Sequence, residues 1–258
     1  MKIAVVTGGS SGMGREFIMQ IADRFSGIGE IWAVARRQSA MEKLAPHVPV
    51  KLRAVGLDLT DRESLRKLQD LLEREKPEVK WLVNAAGYGK IGHVGSVSLE
   101  DEEGMVELNC EALCAVTHMI LPYMSKNSRI VQFASAAAFL PQPGFAIYAA
   151  TKSFVLSYSR ALNEELKPRK ISVTAVCPGP VKTEFFDIAE TTGVIPFYKR
   201  IVMANPKRVV RKALRDSMMG KPVSVYGLMM KVVRLLCKAL PHSLIFCLIK
   251  DLLHEKEE

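Results

Sequence analysis

A chain of 258 residues, of which 48% are hydrophobic and 24% charged, has the balance of a folded globular protein and is long enough for one full α/β core rather than two. The formal net charge is +9. It is concentrated between Lys199 and Lys238, where eleven Lys or Arg residues accompany the single acid Asp216. No aromatic interleaving and no nucleic-acid-binding module accompanies these charges, so we predict that nucleic acid is not a partner.

The cysteines and histidines do not form a recognisable metal site. Five cysteines without a C-x-x-C pair are typical of reduced thiols in a cytoplasmic protein. Cys110 and Cys114 lie one helical turn apart, a spacing that core packing explains better than a metal. His93 and His118 have no partners at ligand spacing, so we predict no metal. The first apolar run has four residues and is too short for a secretory signal peptide.

The chain begins with a predicted strand, Ile3–Thr7, followed by a glycine-rich turn and a helix over Met13–Arg24. In this order Gly8 permits a tight turn, Gly12 lets the backbone approach a phosphate, and Gly14 lets the helix pack close to the strand. Free N–H groups and the dipole at the helix start then bind pyrophosphate. A glycine-rich loop without a ligand is the alternative. The predicted dinucleotide contacts here are Gly8, Ser10, Ser11, Gly12, Met13 and Gly14.

The second predicted strand, Glu30–Ala35, ends in two arginines. Arg36 stands 22 residues after Gly14, where an acidic residue would bind the ribose 2′-hydroxyl and select NAD. Arg36 and Arg37 would instead pair with a 2′-phosphate. We therefore predict NADP(H) as the cofactor, with an exposed basic loop as the alternative.

Strand and helix patterns alternate along the rest of the chain, which favours a single-domain α/β fold with a doubly wound parallel sheet. The further predicted strands are Val50–Gly56, Trp81–Ala85, Ser128–Phe133, Ile171–Cys177 and a closing strand Val223–Val225. The predicted helices are Ser39–Leu44, Asp61–Arg74, Leu99–Met124 and Ala146–Leu166. Thr60 as N-cap, with Glu63 three residues later, predicts a capping box at the start of helix Asp61–Arg74.

Tyr148 and Lys152 are spaced for acid–base chemistry. A free tyrosine has a pKa of about 10, so it exchanges protons poorly near neutral pH. Lys152 follows four residues later and therefore lies on the same helix face, where its positive charge is expected to lower the phenol pKa. Ser135, from a neighbouring strand end, could hydrogen-bond the same substrate oxygen. The set suits proton exchange at a carbonyl or alcohol oxygen.

Six motifs occur together in one order along this chain. They are Thr7–Gly14, Asn84–Gly87, Asn109, Ser135, Tyr148-x-x-x-Lys152 and Pro178-Gly179. In order and spacing the chain resembles the short-chain dehydrogenase/reductase family over about residues 1–185, which implies the Rossmann form of the sheet. It departs from the family at Ala85, where a second asparagine is usual. Because that asparagine helps tie the central strands together, we expect an effect on sheet stability more than on chemistry.

The resemblance implies a role for each site residue. Ser135 binds the substrate oxygen, Tyr148 exchanges its proton, and Lys152 also binds the nicotinamide ribose. Asn109 disrupts its helix and holds a water that links Lys152 to solvent, with a surface asparagine as the alternative. Asp58 contacts adenine, or else caps the next helix. The further cofactor contacts are Leu59, Asn84, Ala85, Ala86, Gly87, Tyr148, Pro178, Gly179, Val181 and Thr183.

Together these features predict an NADP(H)-dependent oxidoreductase that interconverts a secondary alcohol and a ketone. The apolar segment from Phe185 to Tyr198 is expected to cover a hydrophobic substrate that is steroid-like, lipid-derived or a 3-oxoacyl thioester. The alternative is a catalytically silent NADP-binding regulator or scaffold. A homodimer or homotetramer is expected.

The C-terminal residues 226–258 are predicted to form a helical extension of the 1–225 dinucleotide-binding and catalytic domain. A helix over Leu228–Leu240 carries Lys231, Arg234 and Lys238 on an otherwise apolar pattern. A second apolar run, Leu244–Ile249, leads to an acidic tail, and neither run is long enough to span a bilayer. The basic helix could lie on an anionic membrane surface, pack on the domain, or contact another subunit.

Overall fold

The computed structural model describes residues 1–189 and 203–247. Seven parallel strands form one sheet in the order β3–β2–β1–β4–β5–β6–β7, which confirms the predicted doubly wound α/β fold. The strands are β1 Lys2–Thr7, β2 Glu30–Ala35, β3 Lys51–Gly56, β4 Glu78–Asn84, β5 Met124–Phe133, β6 Ser172–Val176 and β7 Val223–Ser224. Their central positions are almost continuously buried, because helices cover both faces of a parallel sheet.

Helices flank this sheet, and most of them pack on its two faces through an apolar side. Among the described residues they are α1 Gly12–Arg24, α2 Gln38–Leu44, α3 Arg62–Glu75, α4 Leu99–Val106, α5 Ala112–Ile120, α6 Ala146–Glu165, α7 Phe185–Ala189, α8 Pro206–Met218 and α9 Leu228–Ala239. On one face, Phe17 of α1 and Leu214 of α8 belong to the same buried cluster. On the other, Leu72 of α3, Val116 of α5 and Leu162 of α6 share a second cluster.

The helix predicted over Leu99–Met124 is interrupted. A single π-helical turn, Glu107–Glu111, separates α4 from α5, and β5 begins at Met124 rather than at Ser128. The stretch Leu99–Tyr123 has the length and composition of a membrane-crossing helix. Val116 and Ile120 are fully buried against the sheet, however, as expected for the core helix of a globular domain.

The start of α3 differs from the predicted capping box. Asp61, not Thr60, is the N-cap, and its carboxylate accepts hydrogen bonds from the backbone N–H groups of Glu63 and Ser64. Those bonds, led by the one from Ser64, lower the pKa of Asp61, and its negative charge also suits the helix dipole. Thr60 instead donates its hydroxyl to the Asp58 carboxylate at 2.8 Å.

Candidate active site

The central strands β1 and β4 create the cleft that holds the candidate site. From β1 the chain order runs outward to β2 and β3, and from β4 it runs the other way, so a crevice opens at their carboxyl ends. The Thr7 hydroxyl oxygen accepts the backbone N–H groups of Ala85 and Ala86, both at 3.1 Å. Because this tie uses only the backbone of Ala85, the departure from the family's asparagine leaves it in place.

Asn84 was predicted to contact the cofactor, but it does not line the cleft. Its side chain lies inside the sheet, where the amide nitrogen donates to Thr117 Oγ1 at 2.9 Å and to Gln132 Oε1 at 3.0 Å. A buried amide needs such partners, and this one links β4 to α5 and β5. Asn84 therefore contributes to the cleft through strand pairing.

The glycine turn fits a dinucleotide. A Cβ on Gly8 would lie 2.8 Å from the Ala85 backbone, and one on Gly14 would lie 2.2 Å from the Gly8 carbonyl oxygen, so both close approaches require glycine. Gly12 has a φ of +51°. Ser11, the N-cap of α1, makes no side-chain capping bond, and the first turn contains no acid. The N–H groups of this helix start are thus available to an anion.

The cleft has a volume of about 770 Å³ and runs from the glycine turn to the end of β2. Most of the predicted cofactor residues line it: Gly8, Ser10, Ser11, Gly12, Met13, Gly14, Arg36, Arg37, Asp58, Leu59, Ala85, Ala86, Gly87 and Thr183. Tyr88, Lys90 and Glu184 also line it and were not predicted, since they follow no motif spacing. The Arg37 guanidinium donates to Glu184 at 2.9 Å, a contact that bridges the cleft.

Helix α6 and the end of β5 bring the proposed catalytic side chains together. Tyr148 and Lys152 are 8% and 5% exposed, and the Lys152 Nζ lies 5.5 Å from the centroid of the Tyr148 ring. Ser135 is the N-cap of a 3-10 turn, Ala136–Phe139, and its Oγ accepts the Ala137 N–H. The cap fixes the backbone of Ser135 beside Tyr148.

The ionisation of Tyr148 differs from the sequence-based expectation. Burial raises its pKa to about 12, while a hydrogen bond with Ser135 acts in the opposite direction. Burial also lowers the pKa of Lys152 to about 8. The expectation that Lys152 lowers the phenol pKa is wrong for this arrangement, because Nζ donates to the Phe133 carbonyl at 2.9 Å and desolvation prevails. At neutral pH the phenol therefore carries its proton.

Asn109 lies in the π-helical turn and is fully buried, so the surface-asparagine alternative is wrong. Its Oδ1 accepts the backbone N–H of Tyr88 at 3.1 Å, and its Nδ2 donates to the Tyr88 carbonyl at 2.9 Å. Nδ2 also reaches Thr151 Oγ1 at 3.1 Å. A Cβ on Gly87 would lie 2.6 Å from the Asn109 Oδ1 and 3.3 Å from the Lys152 Nζ. Asn109 thus links the end of β4 to α6 next to Lys152.

A second cavity, of about 160 Å³, lies directly over Tyr148. Phe145 stacks on the Tyr148 ring with centroids 4.2 Å apart, and Phe185 tilts over it at 5.4 Å. The other walls of this cavity include Met13, Ala137, Gln142, Phe186 and the predicted loop residues Pro178, Gly179, Val181 and Thr183. Of the predicted apolar cover, 185–189 is described, whereas 190–198 lies outside the described residues. An apolar wall next to a phenol suits a hydrophobic carbonyl compound.

Within residues 1–189 and 203–247, no group of three or more His, Cys, Asp or Glu side chains is arranged to hold a metal ion. All five cysteines are free. Burial raises the pKa of the Cys110 thiol to about 11 and that of Cys177 to about 12. Both thiols are therefore neutral and behave as small apolar side chains.

The fold and site together define a dinucleotide-dependent oxidoreductase. Residues 2–192 match the sequence profile of the family described as short chain dehydrogenase, and the chain belongs to this family. Family members use NAD(P).

Comparisons with individual proteins agree with this assignment. The chain is 32% identical to sulfoacetaldehyde reductase 2 of Chromohalobacter salexigens over 192 residues, 71% of this chain and 74% of that protein. It is also 32% identical to serine 3-dehydrogenase of Agrobacterium fabrum over 186 residues, 70% and 72% of the two chains. The structure of a short-chain dehydrogenase from Sphingobium yanoikuyae in complex with NADPH superposes with a TM-score of 0.79 at 26% identity, covering 100% of this chain and 97% of that one.

Proposed function

We propose that this protein is an NADP(H)-dependent oxidoreductase that interconverts a secondary alcohol and a ketone on a hydrophobic substrate. The observation that carries the proposal is a protonated, buried Tyr148 next to Ser135 and Lys152, beneath an apolar cavity. When bound in the cleft, NADP(H) supplies or accepts the hydride.

The side chains of the cavity would divide the remaining work. The Ser135 hydroxyl binds the substrate oxygen, and Tyr148 donates its proton to that oxygen during reduction. Lys152 and Asn109 hold the phenol and the nicotinamide ribose in place. In the alcohol-oxidising direction Tyr148 accepts the proton instead. Its raised pKa makes the phenolate a stronger base, but it also makes the phenolate rarer at neutral pH.

The coenzyme preference rests on the end of β2. Arg36 and Arg37 are exposed at the cleft and stand where an acid would favour NAD. Guanidinium groups bind phosphate oxygens through charge-assisted bonds. The Sphingobium neighbour, which binds NADPH, supports the same preference.

The apolar walls of the cavity support a steroid-like, lipid-derived or 3-oxoacyl substrate, whose reacting end would lie over Tyr148. We further propose a cytoplasmic homodimer or homotetramer in which residues 226–258 extend the catalytic domain, beginning with α9; residues 248–258 lie outside the described residues. This extension carries a peripheral membrane contact.

Replacing Tyr148 with Phe tests the catalytic role. We expect turnover of NADPH with a hydrophobic ketone to fall about 10²- to 10⁴-fold, since the proton donor is lost. NADPH binding, followed by fluorescence, should change little. If the wild-type protein binds NADPH but oxidises it with no ketone in a broad panel, the silent regulator becomes the better description.

Replacing Arg36 with Asp tests the coenzyme preference. The carboxylate would repel a 2′-phosphate and accept a hydrogen bond from a 2′-hydroxyl, so the ratio of kcat/KM for NADPH over NADH should reverse. Arg66→Asp is the matched control, because this exposed arginine of α3 lies outside the cleft lining. An unchanged ratio in Arg36→Asp would contradict the 2′-phosphate assignment.

A further inference from the structure

Helix α9 is attached to the substrate side of the site. Met230 presses on the loop that follows β6, since a Cβ on Gly179 would lie 2.7 Å from the Met230 Sδ. The Arg234 guanidinium carbon lies 6.0 Å from the centroid of Phe139, at the end of the turn that Ser135 begins. Any surface on which α9 rests is therefore next to the reacting end of the site.

The outer face of α9 consists of large apolar side chains. Met230, Val233 and Cys237 are half-buried and form the inner face at helical spacing. On the opposite side, Leu228 is 77% exposed and Leu235 is 66% exposed. The other exposed apolar side chains of this outer face are Met229, Val232 and Leu236. Such a contiguous exposed patch is characteristic of an interaction surface.

A basic flank runs along one side of this outer face. Lys231, Arg234 and Lys238 are exposed at spacings of three and four, and α9 contains no acid. Residues 203–247 hold nine Lys or Arg against one acid, Asp216. That carboxylate is buried and bound by the Lys212 ammonium and the Ser224 hydroxyl. No exposed carboxylate in this described segment offsets the basic flank.

The surface that fits this pattern is a lipid bilayer with negative headgroups. An apolar helix face enters the acyl boundary while flanking cations remain at headgroup level. A second copy that packed antiparallel through this face would set the basic flank beside another basic flank, which is unfavourable. The acidic tail beyond residue 247, with Asp251 and Glu255, is the remaining competitor for the flank.

The position of α9 would also bring a membrane close to the substrate cavity. A cavity of about 510 Å³ lies between α9 and the loop after β6, with Leu228, Met229 and Met230 in its wall. Gly179 and Pro180 line both this cavity and the one over Tyr148. Only this loop therefore separates an apolar molecule at the N-terminal end of α9 from the substrate cavity.

We propose that α9 docks the enzyme on anionic membranes, so that its hydrophobic substrate enters from the bilayer. The delivery step rests on the proposed oxidoreductase function, whereas the docking step does not.

The docking step is tested by sedimenting the full chain with phosphatidylcholine vesicles that contain or lack phosphatidylglycerol, at low and high salt. We expect binding only to the anionic vesicles and only at low salt. The triple variant K231Q/R234Q/K238Q should weaken binding about 100-fold. The control R62Q/R66Q/R74Q removes the same charge from exposed positions of α3 and should bind like the wild type.

Three results would overturn the docking step. Equal loss of binding in both triple variants would mean that net charge alone drives it. Binding that appears only in D251N/E255Q/E257Q/E258Q would mean that the acidic tail covers the basic flank. An L228S/L235S variant that binds vesicles normally but dissociates from a dimer would assign the outer face to a second copy.

The delivery step is tested by kinetics. Anionic vesicles should lower the KM for a long-chain ketone several-fold in the wild type and much less in K231Q/K238Q, which keeps the contact of Arg234 with Phe139, with equal kcat for a short water-soluble ketone in both. An unchanged KM would overturn delivery. Tyr148→Phe should still bind vesicles, so failure of the proposed chemistry is distinguishable from failure of docking.

Discussion

The glycine turn at residues 7–14 and helix α9 border the same site, yet their surroundings are opposite. In the turn, Gly8 and Gly14 meet backbone atoms at distances that leave no room for a Cβ. In α9, the contacts with the site are the flexible side chains of Met230 and Arg234, and the side chains of Leu228 and Leu235 are exposed. The residue types of the glycine turn are determined by contacts inside the fold, and those of the outer face of α9 by what the helix meets outside it.

This difference explains why the two regions respond differently to substitution. A backbone contact cannot adjust by rotating a side chain, so one added methyl group must move a strand or a helix. An exposed side chain loses little when it changes. Single substitutions in the glycine turn should therefore lower stability and weaken cofactor binding. Single substitutions on the outer face of α9 should change only its interaction with a partner.

Gly14→Ala is the largest expected effect. The new Cβ would lie 2.2 Å from the Gly8 carbonyl oxygen, so α1 must move away from β1, at a cost of about 3 kcal/mol in the free energy of unfolding. Urea denaturation measures this loss, and NADPH titration should show weakened binding.

Gly27→Ala is its matched control. A Cβ on Gly27 would meet nothing within 4 Å, so stability should change by less than about 0.5 kcal/mol. If both alanine variants were equally stable, close backbone packing would not be what distinguishes the glycine turn.

The sequence predicted those features that backbone geometry requires. The glycine turn, the parallel strands and the Tyr148–Lys152 spacing each reflect a local constraint that appears as a residue type at a fixed position. The family resemblance implied that Asn109 disrupts its helix, and the π-helical turn lies there. Residue spacing alone predicted one continuous helix, because the bonds from Asn109 to Tyr88 and Thr151 join three separate elements. The pKa of Tyr148 was mispredicted for a related reason: spacing gives the position of a charge, but burial is set by the whole fold.

Lys152→Met is the next largest effect and has the opposite sign. Burial lowers the pKa of Lys152 to about 8 from its usual 10.5, so the folded state disfavours the charged amine. Removing it should stabilise the protein by about 1 to 2 kcal/mol at neutral pH, after allowance for the lost hydrogen bond to Phe133. Turnover should fall at the same time.

The pH dependence of this gain separates burial from packing. Between pH about 8 and about 10.5 the unfolded state binds more protons at Lys152 than the folded state does, so wild-type stability rises with pH in this window relative to the variant. The advantage of Lys152→Met should shrink accordingly in urea denaturation at pH about 10. A constant advantage at both pH values would assign it to better packing by methionine.

Leu235→Ser should have the smallest effect on stability. Leu235 is 66% exposed on α9, so the free energy of unfolding should change by less than about 0.5 kcal/mol. Leu72→Ala, in the fully buried core of α3, should cost about 3 kcal/mol in the same denaturation experiment. A loss above about 1 kcal/mol in Leu235→Ser would mean that the outer face of α9 is already covered within the protein. In that case the outer face of α9 would be packed within the protein, as the glycine turn is, and would not be available to contact a membrane.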